Sequence, residues 1–193
     1  MFMYQKYHTD ALVLSSREIG EADKMLSLYT REFGLVRGRC GGVRAGKSKM
    51  RYALQNYSLA NVALVRGKLG WRLAGAKPMQ GASEKDIKGI GAFARIAGLV
   101  VRFVAGEEAN RNLFEILSEA HSALMRKECG AWATIELVCV ARVLHALGYI
   151  SSEALQTALL THTTYTEASL LEAETKRDEL LRTINRAISE THL

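Results

Sequence analysis

Pro78 is the only proline in the chain, and the hydrophobic rhythm changes on either side of it. Before it, short apolar runs alternate with polar residues and are separated by glycine-bearing turns. After it, apolar residues recur every three or four positions. A chain with strands first and helices afterwards does not build the alternating strand–helix order of a parallel sheet. It is directed to an α+β arrangement, all-β then all-α. The expected boundary gives one domain over residues 1–80 and a helical one over 81–193.

Five runs read as strands: Ala11–Ser16, Lys24–Thr30, Leu35–Cys40, Leu59–Val65 and Trp71–Ala76. Glu32-Phe33-Gly34 supplies a turn, Arg66–Gly70 a hairpin loop, and Ser48–Gln55 a short segment that could be helical. Five short strands with such turns suit a small closed barrel. Helical periodicity covers Ala92–Ala105, Asn112–Met125 and Ala131–Leu147, with Gly148 as the stop of the third. Ser151–Leu160 suits a short helix, and Ser169-x-x-Glu172 reads as a capping box opening a final helix toward Ile188. The most apolar stretch, Ala131–Ile150, contains Glu136, Arg142 and His145, so a buried core helix is expected there and not a membrane span. The first ten residues turn polar too early for a secretory leader, which predicts a cytoplasmic protein.

Charge is as segregated as periodicity. From Phe33 through Ser83 there is no Asp or Glu, yet ten Lys or Arg. Residues 1–80 hold 14 basic and 5 acidic residues, a balance of +9, against −3 for residues 81–193. A single-sign stretch builds a field, and its commonest partner is a polyanion. Arg37 and Arg39 stand two apart on one strand and so share a face. Arg44, Lys47, Lys49 and Arg51 follow in the next connection, and Arg66, Lys68 and Arg72 flank the last hairpin. These nine are the candidate phosphate contacts. Tyr52, Tyr57 and Trp71 are interleaved with them as candidate base-stacking rings. Tyr57 and Trp71 are also placed to be barrel core.

Gly41-Gly42-Val43-Arg44-Ala45-Gly46-Lys47-Ser48 matches GxxxxGK[ST] letter for letter. In a P-loop the amides would cradle phosphates, Lys47 would reach them and Ser48 would hold magnesium. None of the four Asp (Asp10, Asp23, Asp86, Asp178) follows an apolar strand-like run, so the second magnesium carboxylate is missing. A glycine-rich basic connection that touches phosphate without hydrolysing nucleotide fits better, and nucleotide binding stays as the alternative.

No enzyme constellation is evident. His8, His121, His145, His162 and His192 form no HExxH pair, and Cys40, Cys129 and Cys139 form no CxxC pair. Cys40 suits a small buried residue. Glu18, Glu21 and Asp23 read as a solvated acidic turn. No catalytic residue, metal or cofactor is expected.

Several segments, in order and with the right spacing, resemble the RecO family of DNA repair proteins. They are Asp10–Leu14, Gly20–Lys24, Leu28–Gly34, Gly42–Arg44, Ser48–Arg51, Leu54-Gln55 and Leu64–Gly67, and more weakly Leu144–Tyr149. The resemblance implies an N-terminal OB-fold and a C-terminal helical domain. It also implies a non-enzymatic, nucleoid-associated bacterial recombination mediator. Such a protein binds single- and double-stranded DNA, anneals strands coated by single-stranded DNA-binding protein, and helps RecR load RecA. Many members carry a four-cysteine zinc site after the Leu-Gly-Tyr segment. From Ile150 onward this chain has no cysteine, so no zinc is carried over, and the helical domain is expected to be trimmed. A general OB-fold RNA-binding or adaptor module is the third reading.

Overall fold

The computed structural model describes residues 5–80, 87–126, 130–151 and 158–191. The chain divides into two compact units, Met1–Ser83 with Ala105–Arg111, and Glu84–Val104 with Asn112–Leu193.

The first unit is a closed five-stranded barrel built from β1 (Lys6–Ile19), β2 (Asp23–Thr30), β3 (Gly34–Cys40), β4 (Leu59–Gly67) and β5 (Gly70–Gln80). The strand order is β1-β2-β3-β5-β4, with β4 returning to β1. Every pairing is antiparallel except β3 with β5. This is the OB-type barrel that the resemblance implies. β1 closes it because it is long enough to serve two neighbours. Lys6–Leu12 pairs with β4, and Ala11–Ile19 pairs with β2. A bulge between Val13 and Ser15 bends β1 between these roles. There Val13 donates its amide to Ser58 O at 2.9 Å, and its carbonyl accepts from the Tyr57 amide at 2.7 Å.

Period-two alternation fills the barrel. Val36, Gly38 and Cys40 point inward from β3, Val62 and Leu64 from β4, and Trp71 and Leu73 from β5. The β3–β4 connection adds Val43, Ala53 and Leu54 to the same core. The helix expected at Ser48–Gln55 is instead a run of turns. Among them one bond, Leu54 N–H to Met50 O at 3.1 Å, has helical spacing. One such bond does not offset the cost of nucleating a helix.

Residues 105–111 pack on this barrel. The Tyr29 hydroxyl donates to Asn110 O at 3.4 Å, and Arg66 meets Glu107 at 3.4 Å. Gly34, at φ +63°, lies so close to Glu108 that an added Cβ would stand 2.1 Å from its carbonyl oxygen. Only glycine meets both demands.

The second unit consists of α1 (Ile87–Phe103), α2 (Arg111–Leu124), α3 (Trp132–Ala146), α4 (Glu167–Thr175) and α5 (Arg177–Glu190), with a 3-10 turn at Ala158–Leu160. In α1 the buried residues Gly89, Ala92, Phe93, Ile96, Ala97, Val100 and Phe103 make one stripe. α3 is central. It is buried nearly all round and packs against α1, α4, α5 and the 3-10 turn. Gly148 stops it at φ +83°, with Gly148 N–H on His145 O at 2.9 Å and Tyr149 N–H on Leu144 O at 2.8 Å. These are the two bonds of a Schellman ending.

The last helical stretch differs from expectation. Thr166 is the N-cap, and the Ser169 amide donates to its hydroxyl at 3.2 Å. Ser169 therefore sits inside the first turn. The helix breaks at Lys176, just after Thr175 turns its hydroxyl back onto Leu171 O at 3.0 Å. Such back-bonding bends helices. Of the helix expected at 151–160, residues 152–157 lie outside the described residues, as do Cys129 and His192. Among the described residues no helix is long and apolar enough to cross a membrane.

Candidate nucleic-acid interface

Alternation on β3 that buries Val36, Gly38 and Cys40 leaves Arg37 and Arg39 exposed. The short parallel register of β3 with β5 then sets Arg39 beside Arg72, which is also exposed. On the other side Arg37 stands opposite Ser27 and Arg39 opposite Met25. Three arginines therefore share the outer face of β2, β3 and β5, with Ser27 and Met25 as cross-strand neighbours. In barrels of this type the face of strands 2 and 3, with the β1–β2 and β4–β5 loops, is where oligonucleotides bind.

Acids from outside the acid-free stretch hold three of the nine candidates. Asp23 takes Arg39 at 2.6 Å, Glu18 takes Arg44 at 3.0 Å, and Glu107 takes Arg66 at 3.4 Å. Arg44 also donates to Gly20 O at 3.2 Å, and its amide to Ala22 O at 3.0 Å. The acidic turn between β1 and β2 is thus stitched to the β3–β4 connection. The Asp23 carboxyl is held below the ordinary carboxylate range, first by the Gly42 amide and then by Arg39. Arg37, Lys47, Lys49, Arg51, Lys68 and Arg72 are exposed, and none makes an ion pair among the described residues.

The three rings separate. Tyr52 is 73% exposed. Tyr57 is half-buried, and its left-handed backbone (φ 65°) is pinned through its amide to Val13. Trp71 is 5% exposed and lies in the core, meeting Phe33 at 5.2 Å and Tyr7 at 5.8 Å between ring centroids. Arg66 covers it at 5.2 Å. A base would have to displace these neighbours to reach the indole, so Trp71 acts in this structure as a core residue.

The P-loop match has no P-loop geometry. The amides of Gly42 and Arg44 are taken by Asp23 and Ala22, and those of Ala45 and Ser48 by Gly42 O at 3.2 Å and Ala45 O at 2.9 Å. Turns follow Ser48 where a phosphate-binding helix would begin. Four amides of the stretch are thereby engaged, two on Ala22 and Asp23 and two within the loop itself.

One basic residue outside the nine is also turned outward. A register shift between Ala63 and Leu64 leaves Ala74 as an extra residue on β5, which brings exposed Lys77 opposite Asn61. Strict alternation from Trp71 would have pointed Lys77 inward. The bulge re-aims it, and no sequence rhythm announces the bulge.

The sequence model described as "Recombination protein O N terminal" matches residues 3–80, the barrel. Among curated proteins, a DNA repair protein RecO of Desulfitobacterium hafniense is 45% identical over 62 residues, 32% of this chain and 23% of that one. A DNA repair protein RecO of Desulforamulus reducens is 35% identical over 116 residues, 59% of this chain and 45% of that one. One from Pelotomaculum thermopropionicum is 32% identical over 116 residues, 58% and 44% of the two chains. The matched stretches span less than half the length of these relatives.

Proposed function

Since its N-terminal barrel belongs to the recombination protein O family, we propose that this chain acts in DNA repair as a non-enzymatic strand-binding and strand-annealing protein. The observation that carries this reading is the outward row of Arg37, Arg39 and Arg72 on the face where such barrels take oligonucleotides. Planar guanidinium groups suit phosphate oxygens. Neutralising the phosphates of one strand lowers its repulsion of a second while its bases stay free to pair. Lys68 in the β4–β5 loop and Arg44, Lys47, Lys49, Arg51 and Arg66 extend the positive field, and exposed Tyr52 offers a ring for a base. By family, the partners in a cytoplasmic, nucleoid-associated setting would be RecR, single-stranded DNA-binding protein and RecA, with loading of RecA as the outcome.

Anisotropy of a labelled single-stranded oligonucleotide across a salt series tests this. With about five phosphates neutralised, the log–log slope should be on the order of −3.5. A flat response would rule the reading out. Competition between DNA and RNA at fixed salt separates repair from an RNA-binding module. ATP turnover with magnesium, abolished by Lys47→Ala, would reinstate the nucleotide-binding alternative.

A further inference from the structure

β3 pairs with β5 only at Gly38–Trp71 and Arg39–Arg72. Beyond Arg72 no pairing with β3 is made, and β5 continues beside β4 alone. The β3–β4 connection and the outer face of β4 and β5 line a groove of about 640 Å³ in this region. Lys47 and Lys49 stand on the loop wall and Lys77 on the strand wall. None of the three makes an ion pair among the described residues, and no carboxylate lines the groove. The nearby Asp10 is engaged elsewhere, by the Asn61 amide at 2.8 Å and by Arg31 at 3.7 Å.

The floor of this groove is made of Ala63, Ala74, Gly75 and Ala76. Ala63, Ala74 and Gly75 are small and turned outward, while Ala76 packs toward the core opposite Val62, so a chain has room to approach the sheet closely. Exposed His8, which stands opposite Ala63, carries the one ring that lines the groove, and no Phe, Tyr or Trp is there to stack a run of bases. Three lysines with a single small ring suit the sugar–phosphate backbone more than a row of stacked bases. The amides of Gly42, Arg44, Ala45 and Ser48 are already bonded, and the lysine ammonium groups are the charged donors that the groove offers.

We propose that this lysine groove is a second strand site, holding the backbone of one polynucleotide while the arginine face of β3 and β5 holds another. The proposal rests on the arginine-face reading above. Arg72 and Lys77 stand five positions apart on β5, roughly 15 Å of strand. Two strands held on one barrel meet at a high effective concentration, which accelerates pairing without any chemical step.

The test titrates the full chain with non-complementary single-stranded DNA of about eight nucleotides, short enough to occupy one site. At low salt the wild type is expected to saturate at two strands per chain. Ala63→Leu fills the floor without changing charge, and Lys77→Glu alters an exposed side chain that leaves the core intact. Both should saturate at one strand. The remaining strand should bind within about twofold of wild-type affinity, and complementary strands should anneal about fivefold more slowly or worse. Saturation of the wild type at one strand, or of both variants at two, overturns the second site and leaves the arginine face standing. A wild type that binds no strand overturns both readings.

Discussion

Asp23 accepts two hydrogen bonds from Arg39 on one carboxylate oxygen, from Nε at 2.9 Å and from Nη2 at 2.6 Å. Its other oxygen accepts the Gly42 amide at 2.9 Å. One side chain thereby restrains an arginine of the proposed binding face and anchors the start of the basic loop. A phosphate reaching Arg39 competes with Asp23 for the same donors.

Replacing that carboxylate is expected to tighten DNA binding. In Asp23→Asn the amide oxygen still accepts from Gly42, so the loop stays anchored, while Arg39 loses its counter-charge. The salt slope for single-stranded DNA should steepen by about 0.7, one further phosphate. An unchanged slope would show that Arg39 does not reach the strand. The same substitution bears on acid stability. The Asp23 pKa is lowered from 3.8 in the folded protein. Its contribution is therefore present above 3.8 and lost as pH falls through the lower folded value. Urea unfolding between neutral pH and pH 3 should show a shallower acid limb in Asp23→Asn than in the wild type.

Gly34→Ala should be among the most damaging single-methyl changes in the barrel. The new Cβ would stand 2.1 Å from Glu108 O, at a backbone φ of +63°. The left-handed conformation alone costs about 1–2 kcal/mol for a residue with a Cβ. Displacement of the 105–111 segment adds to it. Denaturant unfolding should show a loss above about 2 kcal/mol. Gly46→Ala, with open space at its Cβ, is the control and should cost little.

Arg142 is fully buried on α3, and it donates to Leu159 O at 2.7 Å, Thr163 O at 2.8 Å and Thr164 O at 3.1 Å. Its guanidinium lies 4.6 Å from the Tyr165 ring centroid. It gathers the described part of the α3–α4 connection onto the central helix. Arg142→Met leaves these carbonyls without their donor and should cost roughly 3 kcal/mol. Arg142→Lys should recover little of it, because one ammonium cannot span three carbonyls that a planar fork reaches. Full recovery by Lys would show that charge, and not fork geometry, holds the connection.

The two described thiols should be inert in the native protein. Burial pushes Cys139 up to about 12, and burial with the nearby Asp23 pushes Cys40 up to about 11. Thiolate is the reactive form, so both should resist alkylation at pH 8 until the chain is unfolded. A Cys129→Ser background isolates them. Raised thiol values also set an alkaline limit. Stability is full below their ordinary value of 9.0 and declines as pH rises from there through 11 and 12. Rapid labelling of the folded background variant at pH 8 would contradict this burial.

Much of the barrel was written in alternation. Val36, Gly38 and Cys40 against Arg37 and Arg39 fixed both the core and the outward face of β3. The same alternation on β5 puts Trp71 inward once Arg72 is placed outward, so its core position was available from the residues. β1 was underestimated at both ends, Ala11–Ser16 against Lys6–Ile19, because its terminal residues are polar and largely exposed. The latches Asp23–Arg39 and Glu18–Arg44 join residues 16 and 26 positions apart, and local composition showed only an acidic turn and a basic run. The groove depends on a bulge and on where β3 stops pairing, which are properties of register. The polar segment at 105–111 has no apolar rhythm, because it meets the barrel largely through backbone atoms.

That last segment places a time constraint on the barrel during synthesis. Glu108 seats on Gly34 and Asn110 receives the Tyr29 hydroxyl, yet both emerge from the ribosome about thirty residues after β5 ends. At ordinary elongation rates this is a wait of roughly 2–6 s. During that interval the nascent barrel has all five strands and lacks the piece that covers its second turn. Its final closure therefore follows the emergence of the first helix.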